Sequence, residues 1–510
     1  MDTLLRLQGS DLAYLAPELI LLAAAVVLSV MDLLLPRSFD RRTVGWLTLV
    51  ALVGSGISVV FQLGVDAHVS LLHESYRVDD FALVLKLVFL TGTALAVLMS
   101  LGQSREELGT NDIGEYYYFY LPAVIGAMVV AASADLIMMY VGIELLSIAT
   151  YIMVGMRRKS GIASESAFKY IVTGSISSAF ILYGMSFMYG LTGSTNLLAI
   201  NEMFVMRGID GIAPLVYVSF FLLLTGLGFK IAAVPFHAWA PDVYQGASVP
   251  VASFLAVVSK AAGFAMLFRL FYVGFYQVGI PYGGQTSDYP FHTDMFLTLS
   301  VLAAAAMVAG NAMALRQRNM KRLLALSGVA NAGYLLVPIV GQIGLFHSSG
   351  FSAIIFYLIA YLFMNMGMFA AVAIVSRTAG HEEMSGFAGL YHRAPGAAIA
   401  IVLIVLSLTG IPVTGGFFGK LFILFGALGM KMYWLAILMI VTSAVSFYYY
   451  FGIVRQMFMR SGTDQGDIHI SPALGITLWV CALAGVLLGF FPSPILGWLD
   501  GLYQFMADLF

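Results

Sequence analysis

The sequence predicts an all-α polytopic membrane protein with about fourteen transmembrane helices, and three observations carry that prediction. First, the 510 residues are 60% hydrophobic and only 10% charged, with a mean hydropathy of +0.92. A soluble domain carries roughly 25% charged residues, so this chain has too few charges to wet a globule of its size. Second, apolar stretches of roughly 20 residues, the length that crosses a bilayer, recur from end to end. Third, Lys and Arg fall mostly on one side of the topology those stretches impose.

The stretches run approximately over 12–35, 43–65, 80–101, 117–134, 136–156, 165–191, 213–234, 248–275, 292–314, 323–342, 350–376, 396–426, 432–456 and 472–498. The first holds Glu18 and Asp32 and lacks a basic start and a small-residue exit, so it reads as a spanning helix rather than a cleaved signal. The 117–156 stretch is split at Ser133-Ala134-Asp135, because 40 residues in one helix would be about 60 Å long. No soluble domain is visible, and the longest polar connections (102–115, 276–291, 377–395 and 460–471) read as loops. With the N-terminus outside, inside loops hold Arg37, Arg41, Arg42, Arg105, Arg157, Arg158, Lys159, Arg316, Arg318, Lys321, Arg322, Arg377, Arg393, Arg455 and Arg460. Outside segments hold only Arg6, Arg77, Arg207 and Lys431, which supports both termini outside. Tyr116, Tyr117, Tyr118 and Tyr120, and later Tyr448 to Tyr450, are expected as interfacial anchors.

Composition also excludes function classes. A net charge of -2 argues against nucleic acid, and the single Cys481 excludes an intramolecular disulfide and any multi-cysteine metal cluster. The eight histidines form no metal-ligand spacing, and no Gly-rich nucleotide loop follows a strand.

The remaining basic residues lie within spans: Lys86, Lys169, Lys230, Lys260, Arg269 and Lys420. Intramembrane charge costs about 2.5–3.5 kcal/mol on insertion scales and marks a functional site by default. Five of the six are Lys, whereas Arg prevails outside the spans. A buried amine can give up its proton and a guanidinium cannot, so the bias favours titratable charge. For Lys86 and Arg269, snorkelling or local pairing is an equal alternative. Glu144, alone in mid-span five, needs a cation or a proton, and Lys230 is its expected partner. Glu165 and Lys169, four apart with Glu first, fit helix support as well as a relay.

Two spans are broken. Span seven ends GLGFKIAAVPFHAWAPDVYQGASVP, where Pro235 removes a backbone donor. Span twelve reads SLTGIPVTGGFFGKLFIL, with Gly410, Pro412, Gly415, Gly416 and Gly419 ahead of Lys420. Irregular backbone is tolerated at membrane depth only where it is buried or lines a wet cavity, and broken helices in two halves point to ion pathways. Lys230 precedes its Pro and Lys420 follows its own, so periodicity alone establishes no repeat. His237 either passes protons between Lys230 and Lys260 or caps the break. Ser175, Ser178, Tyr357, Tyr361, Ser443 and Ser446 either hold water or pack helices together.

The stretch GLGFKIAAVPFHAWAPDVYQGASVPVASFLAVVSKAAGFAMLFRL resembles the signature of the proton-pumping antiporter-like subunits of respiratory NADH-quinone oxidoreductase (complex I). PDVYQGAS followed by VSKAAGFA is similar to the N type, or subunit 2 type, rather than to the L and M types. DLIMMYVGIELLSIATYIMVG, ESAFKYIVTGSISSAFILYG, RQRNMKRLLALSGVANAGYLL and TGIPVTGGFFGKLFIL support it. The resemblance covers roughly 75–460. It implies a single transmembrane domain over 1–510: N-terminal helices in 12–101, two inverted five-helix repeats in 117–275 and 292–456, broken helices seven and twelve, and a last helix in 472–498. It implies that Glu144 pairs with Lys230, the lysine of the first half-channel, that Lys260 connects the halves, and that Lys420 faces the outlet. Asn331 in GVANAGYLL stands where family members often carry His. A side-chain relay between Lys260 and Lys420 is then interrupted unless Ser327 or Tyr334 substitutes.

The expected function is proton translocation in the membrane arm of NADH-quinone oxidoreductase, in a bacterial plasma membrane, next to other membrane-arm subunits. FMN, iron–sulfur clusters and quinone are expected in partner subunits, with no redox chemistry in this chain alone. The alternatives are a subunit of a multi-subunit sodium/proton antiporter, a structural subunit filling the arm, and a stand-alone solute carrier. The PDVY wording counts against the first, the buried lysines against the second, and the lack of a substrate-sized polar cluster against the third.

Overall fold

The computed structural model describes residues 9–36, 39–63, 69–103, 113–157, 159–209, 211–275, 278, 290–340, 347–462 and 468–502. Arg6, Arg37, Arg105 and Arg158, counted above in the charge asymmetry, lie outside the described residues.

The helices are α1 (Ala16–Leu34), α2 (Arg42–Gln62), α3 (Asp80–Leu101), α4 (Gly114–Ala132), α5 (Leu136–Gly155), α6 (Gly161–Thr192), α7 (Ala213–Lys230), α8 (Val249–Phe275), α9 (Pro290–Ala314), α10 (Met320–Val340) and α11 (Gly350–Ala379). Two shorter pieces, Pro395–Thr409 and Gly415–Gly429, form α12, and α13 (Tyr433–Met459) and α14 (Pro472–Phe490) follow. Among the described residues thirteen helices are individually long and apolar enough to cross a membrane, and α12 is the pair that is not. A short antiparallel pair, Val69–Leu71 with Tyr76–Val78, and a helix at Leu197–Arg207 were not foreseen.

Position in the bundle follows from side-chain pattern. The apolar windows of α8 and α10 are buried throughout, whereas α1 and α2 are largely exposed at the periphery. An element hydrophobic all round belongs in the interior, so α8 and α10 carry their polar groups into the centre. Small residues set the close crossings. The Ser177 hydroxyl on α6 donates to the Gly226 carbonyl on α7 at 2.8 Å, and Ser219 on α7 donates back to Gly184 at 2.8 Å. A Cβ on Gly226 would lie 2.7 Å from the backbone carbonyl oxygen of Ser177, too close for any other residue.

Both breaks use one device. At the end of α7, Ala233 N–H reaches the Gly228 carbonyl and Ala232 N–H reaches Phe229, with Ala232 at φ +56°. At the end of Pro395–Thr409, Ile411 N–H reaches Leu406 and Gly410 N–H reaches Ser407, with Gly410 at φ +82°. Each is a Schellman termination. Helix α7 therefore stops at Lys230, before Pro235, and the Trp239 indole nitrogen donates to the Phe229 carbonyl. The break resumes as a short helix, Trp239–Gly246.

Two expectations need correction. Tyr116, Tyr117, Tyr120, Tyr449 and Tyr450 are not interfacial anchors but are buried inside the bundle. Their hydroxyls find partners there: Tyr116 with Ser248, Tyr120 with Ser100, Tyr449 with Asn311 and Tyr450 with Ser327. Span ten begins at Met320 rather than 323, because the Asn319 side chain caps it by accepting the Arg322 N–H. Lys321 is thereby drawn from the loop into the bundle and fully buried.

Candidate functional site

Glu144 on α5 and Lys230 at the end of α7 meet as expected, with 3.8 Å between carboxylate and ammonium. Ser178 on α6 donates to Glu144 Oε1, and Lys230 donates to Ser147 Oγ at 2.6 Å. Lys230 also lies in the last turn of α7, where the helix dipole is negative and favours a cation. The carboxylate keeps 22% side-chain exposure against 7% for the lysine. Glu144 is thus the outer member of the pair.

Lys260 follows a π-helical stretch, Leu255–Ser259, inside α8. Such bulges recur at functional sites because they shift the face on which later side chains emerge. Its ammonium donates to the Gly328 carbonyl on α10 at 2.7 Å and lies 5.8 Å from the Tyr361 ring centroid. It has no carboxylate partner among the described residues. A Cβ at Gly328 would stand 2.7 Å from the Lys260 nitrogen, so any larger residue there displaces the ammonium.

Lys420 lies after the α12 break, yet reaches back to the Leu408 carbonyl at 3.1 Å, and to Ser443 at 3.3 Å. Leu408 holds the place in its Schellman motif that Lys230 holds in the other. Both cations therefore sit at the negative end of the first half of a broken helix. The different order of Lys and Pro in the two spans is two routes to one location. A cavity of about 260 Å³ opens beside Lys420, lined also by Thr409, Phe417, Ser443 and Phe447.

Between Lys260 and Lys420 runs a band of hydroxyls and amides. Ser327 bonds Tyr450, Asn331 donates to the Ser327 carbonyl at 3.0 Å, and Tyr357 donates to Asn331 Oδ1 at 2.6 Å. Tyr334 donates to Thr442 at 3.2 Å, and Lys420 lies 5.2 Å from the Tyr334 ring centroid. Ser327, Asn331 and Tyr334 thus share one polar band, and Tyr357 joins it from α11. Ser443 touches Lys420, Ser446 donates to the Ser443 carbonyl, and Ser175 is exposed, away from the band.

Other expected residues divide. His237 lies half-buried in the α7 break, its buried Nδ1 has no partner among the described residues, and no hydrogen bond joins it to Lys230 or Lys260. Lys169 pairs with Glu165 at 2.7 Å and also with Asp242 at 2.8 Å. Asp242 is shared with Arg322 at 2.6 Å, so one carboxylate ties α6, the short helix and α10 together. Lys86 and Arg269 are locally paired rather than snorkelling. Lys86 bonds Glu18 at 2.8 Å and Tyr76 at 2.7 Å. Arg269 grips both oxygens of Asp79, at 2.7 and 2.6 Å.

Among the described residues no group of three His, Cys, Asp or Glu side chains could hold a metal ion.

Residues 133–446 match a family model described as "NADH:quinone oxidoreductase/Mrp antiporter, TM". A curated relative from Paenibacillus sp. (strain JDR-2), named NADH-quinone oxidoreductase subunit N, is 50% identical with all of both chains covered. The protein of that name from Brevibacillus brevis is 46% identical over 95% of this chain and 94% of its own. Among solved structures, a chain of respiratory complex I from Thermus thermophilus with bound aureothin superposes with a TM-score of 0.77 at 30% identity. That alignment covers 94% of this chain and 98% of that one. A chain of the Mrp complex from Dietzia sp. shares the fold at a TM-score of 0.79 and 21% identity, covering 96% of each chain. The chain belongs to the NADH-quinone oxidoreductase subunit N family.

Proposed function

We propose that the chain translocates protons in the membrane arm of an NADH-quinone oxidoreductase, coupled to electron transfer in partner subunits. The observation that carries this is the placement of three buried lysines, each held by few and exchangeable partners, along one interior band. Lys230 has a carboxylate and a hydroxyl, Lys260 a single carbonyl, and Lys420 a carbonyl and a hydroxyl. Fixed structural cations in the same bundle look different: Arg269 is locked by a bidentate carboxylate. We take Glu144 and Lys230 as one half-channel and Lys420 as the other, with Lys260 between them. The matching breaks in α7 and α12 support reading 117–275 and 292–456 as inverted repeats.

The proposed mechanism is electrostatic. A charge shift arriving along the membrane arm alters the Glu144–Lys230 pair, and with it the affinity of Lys230 for its proton. The proton passes by Lys260 and the Ser327, Asn331, Tyr334 band toward Lys420. Asn331 does not titrate, but its carbonyl and amide hold Tyr357 and the α10 backbone in place. His237 is placed to hydrate the α7 break rather than to touch either lysine. FMN, iron–sulfur clusters and quinone belong to partner subunits in this reading.

The test is a mild-detergent pull-down of the tagged chain from its native membrane, with mass spectrometry and an NADH:quinone assay on the eluate. Flavin- and iron–sulfur-bearing subunits with inhibitor-sensitive activity are the expected result. A flavin-free assembly of antiporter subunits would replace this reading with sodium/proton exchange.

A further inference from the structure

A polar cavity of about 380 Å³ opens at the basic-loop end of the bundle. Its walls include Gln103 just after α3, Arg157 just after α5, Ser248 before α8, Ser376 and Arg377 from α11, and Glu382 from the following loop. Glu382 pairs at 2.8 Å with Lys321, whose side chain has no exposure at all. Lys321 also donates to the Ala247 carbonyl at 2.7 Å, one residue before Ser248, where the chain turns into α8. None of these groups belongs to the band described above.

Two further observations connect this place to Lys260. Lys321 and Gly328 lie on the same helix seven residues apart, about 10 Å along the axis, and Gly328 holds the Lys260 ammonium. On α11, the hydroxyl of Tyr361 and Oδ1 of Asn365 are buried with no hydrogen-bond partner among the described residues. Tyr361 lies beside Lys260, and Asn365 is one turn nearer the end of α11 that lines the cavity. Buried oxygens without protein partners in a native interior take ordered water.

We propose that this cavity is a proton-uptake mouth for Lys260, separate from the Glu144–Lys230 pair and gated by the Glu382–Lys321 ion pair. The proposal rests on the proton-translocating reading above. A proton from the cavity converts the Glu382 carboxylate to the acid and frees the Lys321 ammonium from its partner. Transfer along water past Asn365 and the Tyr361 hydroxyl protonates the neutral Lys260 amine and returns Glu382 to carboxylate. Only O–H and N–H bonds form and break.

The test uses the complete enzyme in everted membrane vesicles with Ser376→Cys in this chain. Cys481, the chain's own thiol, is buried at 1% exposure and gives no background from this chain. A charged, membrane-impermeant methanethiosulfonate reagent is added, and protons moved per NADH are measured with and without it. The expected result is modification, seen as a mass shift, together with loss of this chain's share of protons per NADH. A Tyr361→Phe, Asn365→Leu double variant shows the same loss without reagent. Failure of the cysteine to react, or unchanged protons per NADH after modification or in the double variant, overturns the mouth. If Lys230→Met still lowers protons per NADH in that case, only the mouth fails; if it does not, the translocating reading fails with it.

Discussion

Replacing Lys260 by Met separates a working lysine from a structural one. The ammonium costs about 2.5–3.5 kcal/mol to place within the membrane, and Met removes that cost while filling a similar volume. Against this, the variant loses one charged hydrogen bond to the Gly328 carbonyl, worth about 1.5–3 kcal/mol. It also loses a cation–π contact at 5.8 Å, worth about 0.5–1 kcal/mol. The two sides cancel to within about 1.5 kcal/mol. Arg269→Met offers the contrast, because it strands the carboxylate of Asp79, 3% exposed, without its cation. Breaking a buried pair from one side costs about 3–5 kcal/mol. The assay is thermal unfolding of the purified chain in detergent, followed by a thiol-reactive dye at the buried Cys481, with proton pumping measured on the same variants in membranes. Lys260→Met is expected to unfold within a few degrees of the parent and to lose pumping. Arg269→Met is expected to unfold well below it. If Lys260→Met is as unstable as Arg269→Met, the lysine is a structural clamp and the reasoning is wrong.

Further outcomes follow from other contacts. Gly328→Ala puts a methyl 2.7 Å from the Lys260 nitrogen and 3.0 Å from the Tyr361 hydroxyl. The flexible ammonium moves aside, so subunit levels on immunoblots should stay normal while protons per NADH fall. Gly416→Ala drives a Cβ into the backbone carbonyl of Ser407, on a helix that cannot swing away as a side chain could. That close approach cannot relax, and the variant should fail to accumulate in membranes. Tyr76→Phe removes the hydroxyl that donates to Glu18 and accepts from Lys86. Unfolding of the purified chain should show a loss of about 1–2 kcal/mol, with pumping by the assembled enzyme unchanged.

The Glu144–Lys230 pair was legible because a lone carboxylate in mid-membrane must find a cation or a proton, and few cations were on offer. The breaks were legible as places but not as mechanisms. Pro235 drew attention, yet α7 stops five residues earlier, at Lys230, through the left-handed Ala232, and Ala carries no signal for a left-handed backbone. Lys321 was lost to a boundary error. It sits in the basic run RQRNMKR and read as a loop charge, although Asn319 ahead of it is a good helix cap and could have moved the boundary. Tyr116, Tyr117, Tyr120, Tyr449 and Tyr450 were misplaced for a different reason. Tyr suits an interface and a buried site with a partner equally well, and the partners, Ser248, Asn311 and Ser327, are remote in sequence. Asp242 was visible in PDVYQGAS, but its sharing between Lys169 and Arg322 depends on three helices converging.

The central claim is that Lys230 moves protons rather than merely filling the bundle, and one measurement tests it most directly. The complete enzyme carrying Lys230→Met is reconstituted into sealed liposomes. Protons pumped per NADH oxidised are compared with the parent, after blots confirm equal assembly. The account predicts a fall in that ratio for Lys230→Met, and also for Lys230→Arg, which keeps the charge but cannot release its proton. Full stoichiometry in an assembled Lys230→Met enzyme would contradict it.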